Sequence, residues 1–185
     1  FTYSLIMEMW NLLIAEPVDK YRNVGVAYFR NRGMNVRAAA NYYQAMCFLS
    51  TTHADYNIQC AMINCFMPES EISDGRPIGL STIERMKKTQ RKKVVPGYYD
   101  AIMNAVNSGS DPPLGIIVAE IVAGEARKRV PFVMISSAYP YSDLMRPVTD
   151  HVSQNGWRML GTVHEEEMMT DDFWSRAFDR LTSRF

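Results

Sequence analysis

Five short apolar runs, each bounded by stretches with a helical spacing of apolar residues, constrain this chain more than any other feature. "WNLLIAEP" (10–17) is a buried-strand pattern that delivers Glu16 to its C-terminal end and stops at Pro17. In "VDKYRNVGVAYFRNRG" (18–33), Val18, Tyr21, Val24, Tyr28 and Phe29 recur at helical spacing, and Gly33 suits a C-cap. "NVRAAA" (35–40) is a weak second strand, and "NYYQAMCFLSTTH" (41–53) a second helix with Tyr42, Ala45, Met46 and Leu49 on one face. "NIQCAMINCF" (57–66) is apolar almost throughout, as the middle strand of a parallel sheet should be.

The alternation resumes farther on. "LGIIVAEIVAGEARKR" (114–129) reads as a helix with a basic last turn, which complements the helix dipole. "VPFVMISS" (130–137) is a fourth strand. "YSDLMRPVTDHVSQNG" (141–156) is a helix kinked or entered at Pro147 and ended by Gly156, and "WRMLGTV" (157–163) is a fifth strand. In "TDDFWSRAFDRLTSRF" (170–185) Thr170 caps, Asp171 and Asp172 suit the dipole, and Phe173, Trp174, Ala177, Phe178 and Leu181 form a buried stripe. Strand–helix alternation of this kind gives an α/β fold, a five-stranded parallel sheet with helices on both faces.

Residues 70–113 interrupt the pattern. They contain "STIERMKKTQRKK", "PGYYDAIMNAVNSG" and "SDPP", which is too long for an ordinary connection, so we read a helical insertion within a single domain over 9–185.

With 185 residues the chain is long enough for one real core, and its balance of 20 acidic against 20 basic residues points to neither nucleic acid nor membrane as a global partner. Three cysteines (Cys47, Cys60 and Cys65) in apolar sequence surroundings, with no C-x-x-C pair, read as buried reduced thiols of a cytoplasmic protein. His53, His151 and His164 lack metal-ligand spacing, so no metal is expected. Glu8 and Asn11 break the apolar N-terminal stretch, which has neither a basic flank nor bilayer-spanning length, so the expectation is no membrane segment.

The strand endings carry a resemblance. "NLLIAEP", "INCFMP", "VPFVMISSA" and "GWRMLGTV", in that order within the alternation, resemble the receiver domain of two-component response regulators, over nearly the whole chain apart from 70–113. The resemblance implies a flavodoxin-like three-layer sandwich. It implies also that the first strand ends in paired acids, the third in a phosphate-accepting Asp before a Met-Pro, the fourth in a hydroxyl residue and the fifth in Lys-Pro. Here Glu16 matches one acid and Pro17 replaces the other. Asn64 stands where the phosphoacceptor would be, Ser136 or Ser137 fits the hydroxyl place, and the lysine place falls near Gly161 or Thr162. An amide is no nucleophile toward a phosphoryl group and brings no charge to a divalent cation. The expectation is therefore a degenerate, non-enzymatic pseudo-receiver without cofactor, acting as a regulatory module that binds a protein partner or a second copy of itself. Asn64 has an equally structural role open to it, tying the strand end to a neighbouring loop.

Other features supply the alternatives. "RMKKTQRKK" gathers Arg85, Lys87, Lys88, Arg91, Lys92 and Lys93, a candidate phosphate-backbone or partner contact, with Tyr98 and Tyr99 available for base stacking. A solvated helix face explains such a run as well, and no DNA- or RNA-binding signature accompanies it. "HEEEMMTDD" is an acidic patch before the last helix, read mainly as dipole complementation. Tyr139 and Tyr141 border the face that receivers commonly use for partners and are candidate interface residues. No glycine-rich phosphate loop or nucleophile elbow is present, and nothing in the spacing of Ser136, Asp150 and His151 recommends a triad. A small ligand at the strand ends, among Glu16, Asn64 and Ser136, is the third reading.

Overall fold

The computed structural model describes residues 10–50, 57–70, 100, 103–104, 107–109, 111–124, 130–136, 145–161 and 164–183. Most of the expected insertion lies outside them. So do the basic cluster (Arg85, Lys87, Lys88, Arg91, Lys92, Lys93), Tyr98, Tyr99, Ser137, Tyr139, Tyr141 and the basic turn at 127–129.

Strands β1 (Asn11–Ala15), β2 (Asn35–Ala39), β3 (Cys60–Asn64), β4 (Phe132–Ser136) and β5 (Met159–Gly161) form one sheet in the order β2-β1-β3-β4-β5. Every pairing is parallel. This is the flavodoxin-like order that the sequence led us to expect.

Side-chain alternation along the strands divides the core in two. Leu12, Ile14, Val36, Cys60, Met62, Val133 and Ile135 face helices α1 (Asp19–Arg30) and α5 (Asp171–Thr182), where Tyr21, Phe29, Phe173 and Trp174 complete the packing. Leu13, Ala15, Ala39, Ala61, Ile63 and Met134 face the opposite layer, made by α2 (Tyr42–Ser50), α3 (Gly115–Gly124) and α4 (Met145–Gln154). Burying the strands on both faces explains their near-continuous apolar runs.

The ends of the helices follow local chemistry. Helix α1 stops at Arg30 with Asn31 as C-cap, and Gly33 then takes the left-handed conformation (φ 80°) that turns the chain into β2. Gly156 (φ 64°) does the same after α4, in which Pro147 occupies the first turn, where a missing N–H costs nothing. Thr170 caps α5 by accepting a hydrogen bond from the Phe173 amide at 3.3 Å. At the other end of α5, the Arg158 guanidinium donates to the Arg180 and Leu181 carbonyls at 2.8 and 2.9 Å.

Two expectations are corrected. Val18 does not join the buried stripe of α1: it precedes the helix as N-cap and is 37% exposed, because the turn after Pro17 has not yet entered the helix. Cys47 is exposed, whereas Cys60 and Cys65 are buried. The face read for α2 is found in the structure: Ala45 is buried and Tyr42 and Leu49 pack against the same core, while Tyr43 and Cys47, off that face, turn outward.

The acidic patch was only partly legible. Asp171 and Asp172 do occupy the first turn of α5, but Glu165–Met169 forms a short 3-10 helix. Glu165 accepts from the Tyr21 hydroxyl at 3.0 Å and Glu167 pairs with Arg176 at 3.0 Å, while Met168 is buried and its carbonyl takes the Trp174 indole N–H at 2.9 Å.

Candidate functional site

In an open parallel sheet the crevice for chemistry lies beyond the carboxyl ends of the strands, where the strand order reverses. Here that point falls between β1 and β3. Ala15 is in register with Ile63, so the next residues, Glu16 and Asn64, stand side by side. Asn64 is in turn paired with Ile135, which places Ser136 at the same edge. The sequence expectation that Glu16, Asn64 and Ser136 share this edge is thus met by the registers.

Glu16 and Asn64 are both buried and bonded directly. The Asn64 Nδ2 donates to Glu16 Oε2 at 2.7 Å, while Glu16 Oε1 accepts from the Val18 amide at 2.9 Å. Asn64 Oδ1 accepts from the Phe66 amide at 3.0 Å. Burial pushes the Glu16 carboxyl from its ordinary value of 4.5 up to about 7. The bonds from Asn64 and Val18 and the charge of Arg22 pull against that rise, and Asp111 adds slightly to it.

Arg22 does not reach the carboxylate itself: its guanidinium donates to the Glu16 and Pro17 carbonyls at 2.8 and 3.1 Å and pairs with Asp19. Pro17, at the second acid place, supplies only that carbonyl. The Ser136 hydroxyl is fully buried and donates to Met145 Sδ at 3.6 Å. On β5 the residues beside β4 are Met159, Leu160 and Gly161, none of them cationic. His151 Nε2 lies 3.1 Å from Glu120 Oε1, joining α4 to α3, and Asp150 is exposed.

Sequence reasoning missed two contributors. Asp111 reaches Glu16 through its charge. Gly115 opens α3 hard against the end of β3: its amide donates to the Cys65 carbonyl at 3.1 Å, and a Cβ there would lie 1.9 Å from the Asn64 carbonyl oxygen. A glycine directly after "PPL" signals such a close approach, although not its target.

The donor set does not suit the divalent cation of a receiver. It offers one carboxylate with both oxygens already accepting N–H bonds, beside an amide whose oxygen is likewise engaged. Among the described residues no three His, Cys, Asp or Glu side chains come together as a metal site.

The geometry can be set against known proteins. No protein-family model matches the chain, and no curated protein matches it in sequence. Among solved structures, the signal receiver domain of a modulated diguanylate cyclase from Desulfovibrio desulfuricans G20 superposes with a TM-score of 0.50 and 11% identity, over 92% of this chain and 91% of that one. The fold is that of a receiver domain. The bacteriophytochrome response regulator AtBRR is also similar, with a TM-score of 0.49, 15% identity and 96% of each chain covered. On the receiver fold the place at the end of β3 is filled in this chain by Asn64.

Proposed function

We propose that this chain is a pseudo-receiver, a non-enzymatic regulatory module that signals by binding a protein partner or a second copy of itself rather than by aspartyl phosphorylation. The supporting observation is the Asn64 carboxamide at the end of β3, which spends its donor on Glu16 and its acceptor on Phe66. A carboxamide is no nucleophile toward phosphorus. There is no second acid at Pro17 and no cation on Met159, Leu160 or Gly161, and the nearby Arg22 guanidinium is already engaged by the Glu16 and Pro17 carbonyls and by Asp19. Because Glu16 and Asn64 satisfy one another, the edge also offers a small ligand little unspent hydrogen bonding. Among the described residues no helix is long and apolar enough to cross a membrane.

Intact-mass spectrometry after incubation with acetyl phosphate and Mg²⁺ tests the proposal. The expected result is no phosphoryl adduct. An adduct retained in an alkali-labile form would refute it.

A further inference from the structure

The three hydrogen bonds joining Glu16, Asn64 and Phe66 have one consistent polarity. Val18 N–H and Asn64 Nδ2–H both point at carboxylate oxygens, and Phe66 N–H points at Asn64 Oδ1. With Glu16 ionised every one of these donors faces an acceptor; a protonated carboxyl keeps some acceptor capacity but brings an O–H donor that needs an acceptor of its own.

A solvent proton added to Glu16 puts a further donor into this chain of bonds. On Oε1 it faces the Val18 amide, a backbone donor that has no way to reverse. On Oε2 it faces the Asn64 NH₂, which does have one: a half-turn of the carboxamide brings Oδ1 to the new O–H. The same half-turn swings Nδ2 toward the Phe66 amide, so two donors meet and Phe66 loses its acceptor.

We propose that Glu16, Asn64 and Phe66 form a proton-operated switch, in which protonation of Glu16 reverses the Asn64 carboxamide and releases the turn that follows β3. The released turn leads directly into Pro68 and Glu69, whose carbonyls accept the first amides of α2, from Tyr42 at 2.9 Å and Tyr43 at 3.1 Å. Its surroundings stay fixed. Cys65 is held by its amide on the Ile135 carbonyl at 2.8 Å and by Gly115 on its own carbonyl, and Met67 by the Pro112 carbonyl at 3.1 Å. The motion is therefore confined to Asn64 and Phe66, with Met67, held by Pro112, separating it from Pro68, Glu69 and the start of α2.

The charged groups around Glu16 are Asp19 and Arg22 from α1 and Asp111 from the segment before α3, with Arg37 farther back along β2. The neighbouring Cys65 thiol, pushed up to about 12 by burial, stays protonated throughout the neutral range. Glu16 itself titrates about 7 because of its burial, within the range where a cell's pH moves. A receiver with an acid at the end of β3 has no amide to reverse, so the device belongs to this chain's Asn64. It stands apart from the partner-binding reading and needs no partner.

The test is an NMR titration of the full ¹³C,¹⁵N-labelled chain across the neutral range, following the Glu16 side-chain carboxyl, the Asn64 side-chain amide and the Phe66 backbone amide. The expected result is one shared midpoint for all three, with the Phe66 proton moving upfield on acidification as it loses its hydrogen bond, and no such step in Glu16→Gln. A Phe66 amide that does not follow the Glu16 carboxyl would overturn the proposal, as would a Phe66 step that survives in Glu16→Gln. If that variant does not fold, agreement or disagreement of the wild-type midpoints decides alone.

Discussion

Glu16 is a carboxylate that the fold prefers to keep neutral, and its pH dependence follows from that. Its folded pKa of about 7 lies above the ordinary 4.5, so between these values the folded state holds the proton more firmly than the unfolded chain. The contribution to stability is fully present below pH 4.5, is lost as pH rises toward 7, and is flat above. The raised value corresponds to about 3 kcal/mol across that window. Urea denaturation at a series of pH values should show this decline for the wild type and a flatter profile for Glu16→Gln. Gly115 supports a second expectation at this scale. With the Asn64 carbonyl 1.9 Å from any Cβ, Gly115→Ala forces β3 and α3 apart and should cost roughly 3 kcal/mol, read as a lower denaturation midpoint. Of these residues, Glu16 and Asn64 were legible because each ends an apolar run. Asp111 and the amides of Val18 and Phe66 were not, and Gly115 signalled a close approach without its target, since partners across the chain leave no pattern in one dimension.

At the scale of elements, legibility tracked amphipathicity. Helix α5 has one apolar stripe and a capping Thr170, and the buried Phe173, Trp174, Ala177 and Leu181 lie where the spacing put them. In helix α2 the face of Tyr42, Ala45 and Leu49 does pack on the core, but Cys47, off that face, was read as buried from its apolar neighbours in sequence, and that expectation failed. The correction has a chemical consequence. Cys47 is exposed, whereas burial pushes both Cys60 and Cys65 up to about 12, so thiolate is scarce at both. A thiol reagent applied to the native protein should therefore label Cys47 quickly and the other two only after denaturation. Equal labelling of all three in native buffer would contradict the packing of β3. The 3-10 helix escaped sequence reading because three successive glutamates look like solvated charge, and only the fold brings Tyr21 and Arg176 to them.

For the whole molecule, the strand–helix alternation was enough to reach the sheet, because burial on both faces writes itself into apolar runs that no other architecture requires. It was not enough to organise residues 70–113, where no period dominates. The flanks of that stretch are nonetheless joined. Met67 and Pro113 form a parallel bridge, the Met67 amide binds the Pro112 carbonyl, and the Gly115 amide binds the Cys65 carbonyl. The two ends are thus clasped against each other at the rim of the sheet, which makes this place a natural docking port for engineering. The entropy of closing a loop grows only with the logarithm of its length, so exchanging residues 71–110 for a short Gly/Ser linker should change the loop-closure contribution by only about 1 kcal/mol, apart from the lost packing of Met103. Calorimetry of such a chain should show one cooperative transition within a few degrees of the original. By the same reasoning a foreign peptide or a reporter domain should be tolerated there.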